Sequence, residues 1–91
     1  MQDRTRRPDA DTRALLQQIA ARLTAERPTH PMRETLRLAL ALRFATRRHG
    51  YGTARATRAE ALLLTHAPAV EPGTTRQQYA AELRQAAGGA Q

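Results

Sequence analysis

The fold of this chain depends on one stretch, residues 36–44, which read LRLALALRF. Leucine or phenylalanine fills every second position, and that alternation is typical of a half-buried strand. Against a strand, the stretch has no β-branched residue, and leucine, alanine and arginine are good helix formers. As a helix it has two apolar ridges on nearly opposite sides. This predicts a central helix that packs against other elements on two sides. The ridges are Leu36, Leu40 and Phe44, and Leu38 and Leu42. We predict a helix, with a strand at 36–44 as the alternative.

Signals on both sides of this stretch predict three further helices. Asp11 precedes an apolar periodicity and is a suitable N-cap. Arg27 stands before Pro28 and so avoids the α region, which ends that first helix. Gly50 is a natural residue at the end of the second helix. We predict an all-α fold, a small bundle of about four helices near 12–26, 31–49, 54–66 and 75–87.

Capping signals predict where the later helices begin. Thr29 or His30 is the expected cap of the second helix, with a proline near the first helical position. Residues 57–60 fit a capping box at the third helix, although an earlier start at Thr53 also fits. Residues 75–78 form a second capping box, ahead of the fourth helix.

Length and composition predict one small domain. We expect a flexible tail over 1–10, a single helical domain over 11–88 and a flexible C-terminus over 89–91. The chain has no cysteine, and large apolar side chains are few. A core of this size is marginal, so we expect a homodimer or docking to a protein partner. No apolar run reaches about 18 residues and none follows the N-terminal arginines, so we expect a cytoplasmic protein with no membrane contact.

Positive charge dominates the chain and is concentrated in its middle. The net charge is +7, and every basic residue other than histidine is arginine. Residues 33–58 contain seven arginines and a single glutamate. Such an excess favours a polyanion, and the few aromatic residues favour duplex DNA over a single strand. The predicted nucleic-acid-binding residues are Arg33, Arg37, Arg43, Arg47, Arg48, Arg55 and Arg58. A solvated face and an acidic protein partner are the alternatives.

The sequence contains little that enzymatic chemistry requires. Serine, cysteine and lysine are all absent, which removes the usual nucleophiles and the Schiff-base amine. The three histidines are far apart and have no zinc-ligand spacing. We therefore predict a non-enzymatic protein with no cofactor and no metal. The expected function is that of a small DNA-binding regulator or nucleoprotein subunit.

Two DNA-binding architectures bear comparison with this sequence. The helices that end at His49 and begin near Thr53 or Thr57 match a helix-turn-helix weakly. Residues 73–79, GTTRQQY, resemble the stretch that opens the second helix of ribbon-helix-helix repressors. That resemblance implies a dimer with a strand at 36–44 whose outward arginines, Arg37 and Arg43, read the major groove. The chain departs from the family because the stretch lacks β-branched residues and an extra helix precedes it.

Overall fold

The computed structural model describes residues 7–88, which contain four α-helices. The helices are α1 (Ala10–Ala25), α2 (Glu34–His49), α3 (Ala54–His66) and α4 (Arg76–Ala86). An isolated bridge between Pro31 and Thr75 is the one β-type pairing within 7–88. The predicted all-α fold is confirmed, and the strand at 36–44 is wrong. Of the predicted tails, residues 1–6 and 89–91 lie outside the described residues, while α1 already begins at Ala10.

Helix α2 resolves the ambiguity of the alternating stretch. Its buried residues, Leu40, Ala41, Phe44 and Ala45, recur at helical spacing on one face. The other ridge is open, since Leu38 is 44% exposed and Leu42 is 45% exposed. The expectation of a central helix contacted on two sides is therefore wrong. The apolar residues alternate in the sequence because the core-facing ridge with Leu40 and Phe44 and the surface ridge with Leu38 and Leu42 interleave.

The four helices pack as two pairs around one core. Helix α1 packs mainly against α4, and α2 packs against α3. The second pair is antiparallel, because Arg37 near the start of α2 bonds to backbone oxygens of Leu64 and Ala67 at the end of α3. In the core, the Tyr79 hydroxyl donates to the backbone oxygen of Pro68 at 2.6 Å. Burial raises the pKa of Tyr79 to about 12, so this hydroxyl stays a donor.

Two of the predicted helix starts are wrong. The N-cap of α1 is Asp9, which accepts a bond from the Thr12 amide at 2.8 Å, and not Asp11. Helix α2 starts after Arg33 and not at residues 29–31. The reason is a non-local pairing, in which the Met32 amide donates to Thr74 and the Arg76 amide donates to His30. This pairing holds the segment before α2 in an extended form.

The starts of α3 and α4 follow their capping residues. Thr53 caps α3 by accepting a bond from the Ala56 amide, so the earlier of the two predicted starts is correct. The capping box at α4 is confirmed. There Thr75 accepts from the Gln78 amide, and the Gln78 side chain accepts from the Thr75 amide.

Candidate nucleic-acid interface

A four-residue turn, 50–53, joins α2 to α3 and exposes its tip. Gly50 and Gly52 have φ values of 95° and 79°, a region that favours glycine. The Thr53 hydroxyl lies 3.0 Å from the His49 carbonyl oxygen and 2.9 Å from that of Gly50. A Cβ atom on Gly50 would stand only 3.3 Å from the methyl group of Thr53. The turn is therefore tightly specified, and it holds Tyr51 with 89% of its surface exposed.

Five of the seven predicted arginines lie toward this end of the α2–α3 pair. They sit in the second half of α2 and the first two turns of α3, which the turn brings side by side. We call this set the basic hairpin end; it comprises Arg43, Arg47, Arg48, Arg55 and Arg58. Arg33 lies at the opposite end of α2, about 24 Å along the helix from His49 at 1.5 Å per residue. The structure thus places five of the arginines in the half of the pair nearest the turn and Arg33 at the far end. Within that half, Arg43 lines a cleft with Arg22 and Glu26, while Arg55 and Arg58 line another cleft beside Asp9 and Asp11.

Arg37 is used inside the protein. Its guanidinium donates to Glu34 at 2.8 Å, to the Leu64 oxygen at 2.9 Å and to the Ala67 oxygen at 3.2 Å. Only 14% of its side chain is exposed. These bonds satisfy backbone oxygens at the C-terminal end of α3, where a helix leaves carbonyl groups without partners. Arg37 therefore connects α2 to α3 and offers little surface to a ligand.

Two aspartates at the start of α1 neutralise part of the basic hairpin end. Arg48 forms an ion pair with Asp11, and His49 Nε2 lies 2.8 Å from the same carboxylate. Burial raises the pKa of Asp11, but the bonds from His49 and Arg48 outweigh burial and leave that pKa below its usual value. The Thr12 amide lowers the pKa of Asp9, and the charge of Arg58 lowers it further. Glu60 in the second turn of α3 adds a third acidic residue, so five arginines against three acidic residues leave positive charge in excess.

A cleft between α1 and α2 extends the basic surface and adds an arginine that the sequence did not indicate. Its lining residues are Gln18, Ala21, Arg22, Phe44, Arg47 and Arg48. The Arg47 guanidinium lies 5.9 Å from the centre of the Phe44 ring, within cation–π range. Arg22 also pairs with Glu26 at 3.0 Å. Its position beside Arg47 depends on how α1 packs against α2, and no local pattern in the sequence signals that packing.

The α2–α3 pair differs from a helix-turn-helix. In that motif the two helices cross at about 90–120°. Here the end of α3 returns to the start of α2, as the bonds from Arg37 to Leu64 and Ala67 require. The pair is an antiparallel αα-hairpin. Its exposed arginines lie along the sides of the two helices, and the exposed Tyr51 lies at the turn.

Residues 7–88 contain neither a cluster of metal ligands nor a membrane-spanning helix. Within them there is no group of three or more histidine, cysteine or acidic side chains that would hold a metal ion. None of the helices in this range is long and apolar enough to cross a membrane.

No protein-family model matches the chain, and neither the curated proteins nor the solved structures contain a significant match to it. The arrangement of charge and exposed surface is therefore the basis for a functional argument.

Proposed function

We propose that this protein binds nucleic acid, with duplex DNA favoured, through the basic hairpin end, and that it acts without catalysis as a regulator or a small nucleoprotein subunit. The observation that carries the proposal is that five arginines lie in the half of the α2–α3 pair nearest the exposed turn, against three acidic residues. Neither Arg47 nor Arg55 forms an ion pair with another residue of 7–88, so both are available to a ligand. Arg37 is left out of the proposed interface because both of its terminal nitrogens already donate within the protein and only 14% of its side chain is exposed.

The chemistry of this end suits phosphate groups. Guanidinium groups make bidentate, charge-assisted bonds to phosphate oxygens. Helix α3 begins at the same turn, and the amides of a helix N-terminus favour an anion. Gly50 and Gly52 lack side chains and so allow a phosphate to approach the backbone. These groups recognise a backbone and carry no sequence information on their own.

A salt series with a labelled duplex of random sequence tests the proposal. Each phosphate that is neutralised contributes about 0.9 to the slope of log affinity against log salt. Three to five contacts predict a slope of about −3 to −4.5 for the parent protein. The double variant Arg47→Gln/Arg55→Gln should bind more weakly, with a slope smaller by about two.

A matched variant controls for net charge. Arg27→Gln/Arg84→Gln removes the same two charges from exposed positions away from the hairpin end. It should keep a slope within about 0.5 of the parent value, because those arginines contact no phosphate in this proposal. If both double variants weaken binding equally, the effect is one of net charge and the site is misplaced. If the parent binds no duplex even at low salt, the proposal fails.

Binding to an acidic protein is the second candidate function, and one separate observation favours it. Thr35, Leu38, Ala39, Leu42 and Thr46 share an uncharged face of α2, and both leucines are nearly half exposed. Exposed leucines that adjoin each other on one face are typical of protein contacts. The charge of +7 favours an acidic protein as that partner, because opposite charges on two proteins attract and orient them.

A further inference from the structure

Tyr51 differs from the other aromatic residues of the chain. Tyr79 is 1% exposed with its hydroxyl bonded to Pro68, and Phe44 is 9% exposed. Tyr51 is 89% exposed, so its ring contributes almost nothing to the core. A tyrosine ring is a large, rigid contact surface that loses little conformational freedom on binding. The ring is therefore free to contact a ligand.

The turn fixes the backbone that carries this ring. The glycines on either side of Tyr51 adopt left-handed conformations, and the Thr53 side chain bonds both to the end of α2 and to the start of α3. Because these bonds hold the backbone on both sides of Tyr51, binding requires little ordering of the turn. A contact that is preorganised in this way loses less free energy on association.

The surroundings of the ring match the parts of a nucleotide. Arg47 and Arg48 lie in the last turn of α2, and Arg55 lies in the first turn of α3. An aromatic ring stacks on the face of a base while arginines bind the phosphates beside it. In an intact duplex, neighbouring bases cover those faces. A single ring among arginines can therefore stack only where a base is unpaired or at an end.

We propose that Tyr51 stacks on one unpaired base next to duplex DNA, so that the protein prefers a duplex interrupted by an unpaired nucleotide over a continuous one. This inference rests on the proposed function, because the arginines of the basic hairpin end must hold the flanking phosphates. One ring accommodates one base, which distinguishes such a site from the extended stacking surfaces that bind single strands.

Two labelled duplexes test this inference, one fully paired and one identical except for a single bulged adenine. Both have the same ends, so any difference in affinity arises at the bulge. The parent should bind the bulged duplex about 5- to 150-fold more tightly, the range that one stacked base supplies. Tyr51→Phe keeps a ring and should keep most of this preference. Tyr51→Ala should bind both duplexes equally, with an unchanged circular dichroism spectrum because the side chain is exposed.

The arginine variant separates the two proposals. Arg47→Gln/Arg55→Gln should weaken binding to both duplexes by a similar factor and leave the ratio between them largely unchanged. If the parent binds both duplexes with equal affinity, or Tyr51→Ala keeps the preference for the bulge, the stacking inference is overturned while the proposed function stands. If the parent binds neither duplex, both are overturned. Tyr51→Trp adds a direct readout, because the chain has no other tryptophan and stacking should quench its fluorescence on the bulged duplex alone.

Discussion

Replacing Arg37 with methionine tests whether this arginine serves the fold or a ligand. The guanidinium joins the first turn of α2 to the end of α3 through the Leu64 and Ala67 oxygens. Methionine keeps most of the stem that packs in this region and removes every donor. The two carbonyl oxygens then lose their partner from α2, and both helix ends lose their connection.

The expected loss of stability follows from these bonds. A hydrogen bond that involves a charged group contributes about 1.5–3 kcal/mol, so the two bonds to α3 give about 3–6 kcal/mol before opposing effects. Burial of the guanidinium opposes them, and its Nε atom is buried without a partner among the described residues. The pair with Glu34 adds little, because that carboxylate is 55% exposed. We expect a net loss of about 2–3 kcal/mol.

Urea unfolding followed by far-ultraviolet circular dichroism measures this loss. A chain of this length has a total stability of about 5–13 kcal/mol, so the midpoint should fall clearly. Arg43→Met is the control, because Arg43 is exposed on the same helix and should cost less than about 0.5 kcal/mol. If Arg37→Met is as stable as Arg43→Met, the bonds to α3 contribute nothing, and Arg37 again becomes a candidate for phosphate binding.

Two further predictions concern the cap of α1 and the open face of α2. Asp9→Ala should cost about 1 kcal/mol in urea unfolding, because the Thr12 amide loses its acceptor. The pKa of Asp9 lies below its ordinary value of 3.8, so its contribution is complete above about pH 5 and is lost as the pH falls through the lowered pKa. Asp9→Asn should keep the cap, and its stability should depend less on acid pH than that of the parent. If the stability of the parent and of Asp9→Asn falls equally with acid pH, the carboxylate of Asp9 is not the cause. Light scattering should show that the parent associates and that the variant Leu38→Gln/Leu42→Gln is a monomer. The circular dichroism spectra of the two proteins should show the same helix content. A parent that stays monomeric at every concentration would exclude pairing of two copies and leave only a different partner for that face.

The sequence predicted those features of the fold that depend on neighbouring residues. The capping box at Thr75 and the glycine after α2 are local, and both are found in the structure. The start of α2 was missed because its preceding segment pairs with residues 74–76, more than forty positions away. Asp9 and Asp11 are both suitable caps for α1. Their side chains differ by two positions, and the actual start of the helix decides which one accepts a bond from its first free amides.

The candidate site was also predictable only where it depends on residues that are close in the sequence. Charge density along the chain indicated the arginines around the turn, since they are close in sequence. It did not separate Arg37 from them, because its partners, Leu64 and Ala67, lie on another helix. Arg22 was missed in the opposite way, as it reaches the cleft beside Arg47 only through the packing of α1 on α2.

An NMR titration of the isotope-labelled protein with duplex DNA tests the central claim most directly. At low salt we predict that the amide shifts concentrate in residues 43–58, at the basic hairpin end, and diminish as salt is added. Helix α4 (Arg76–Ala86) should remain almost unchanged, because it contributes no residue to the proposed site. Shifts concentrated on α4, or no shifts at any salt concentration, would contradict the claim that this turn binds nucleic acid.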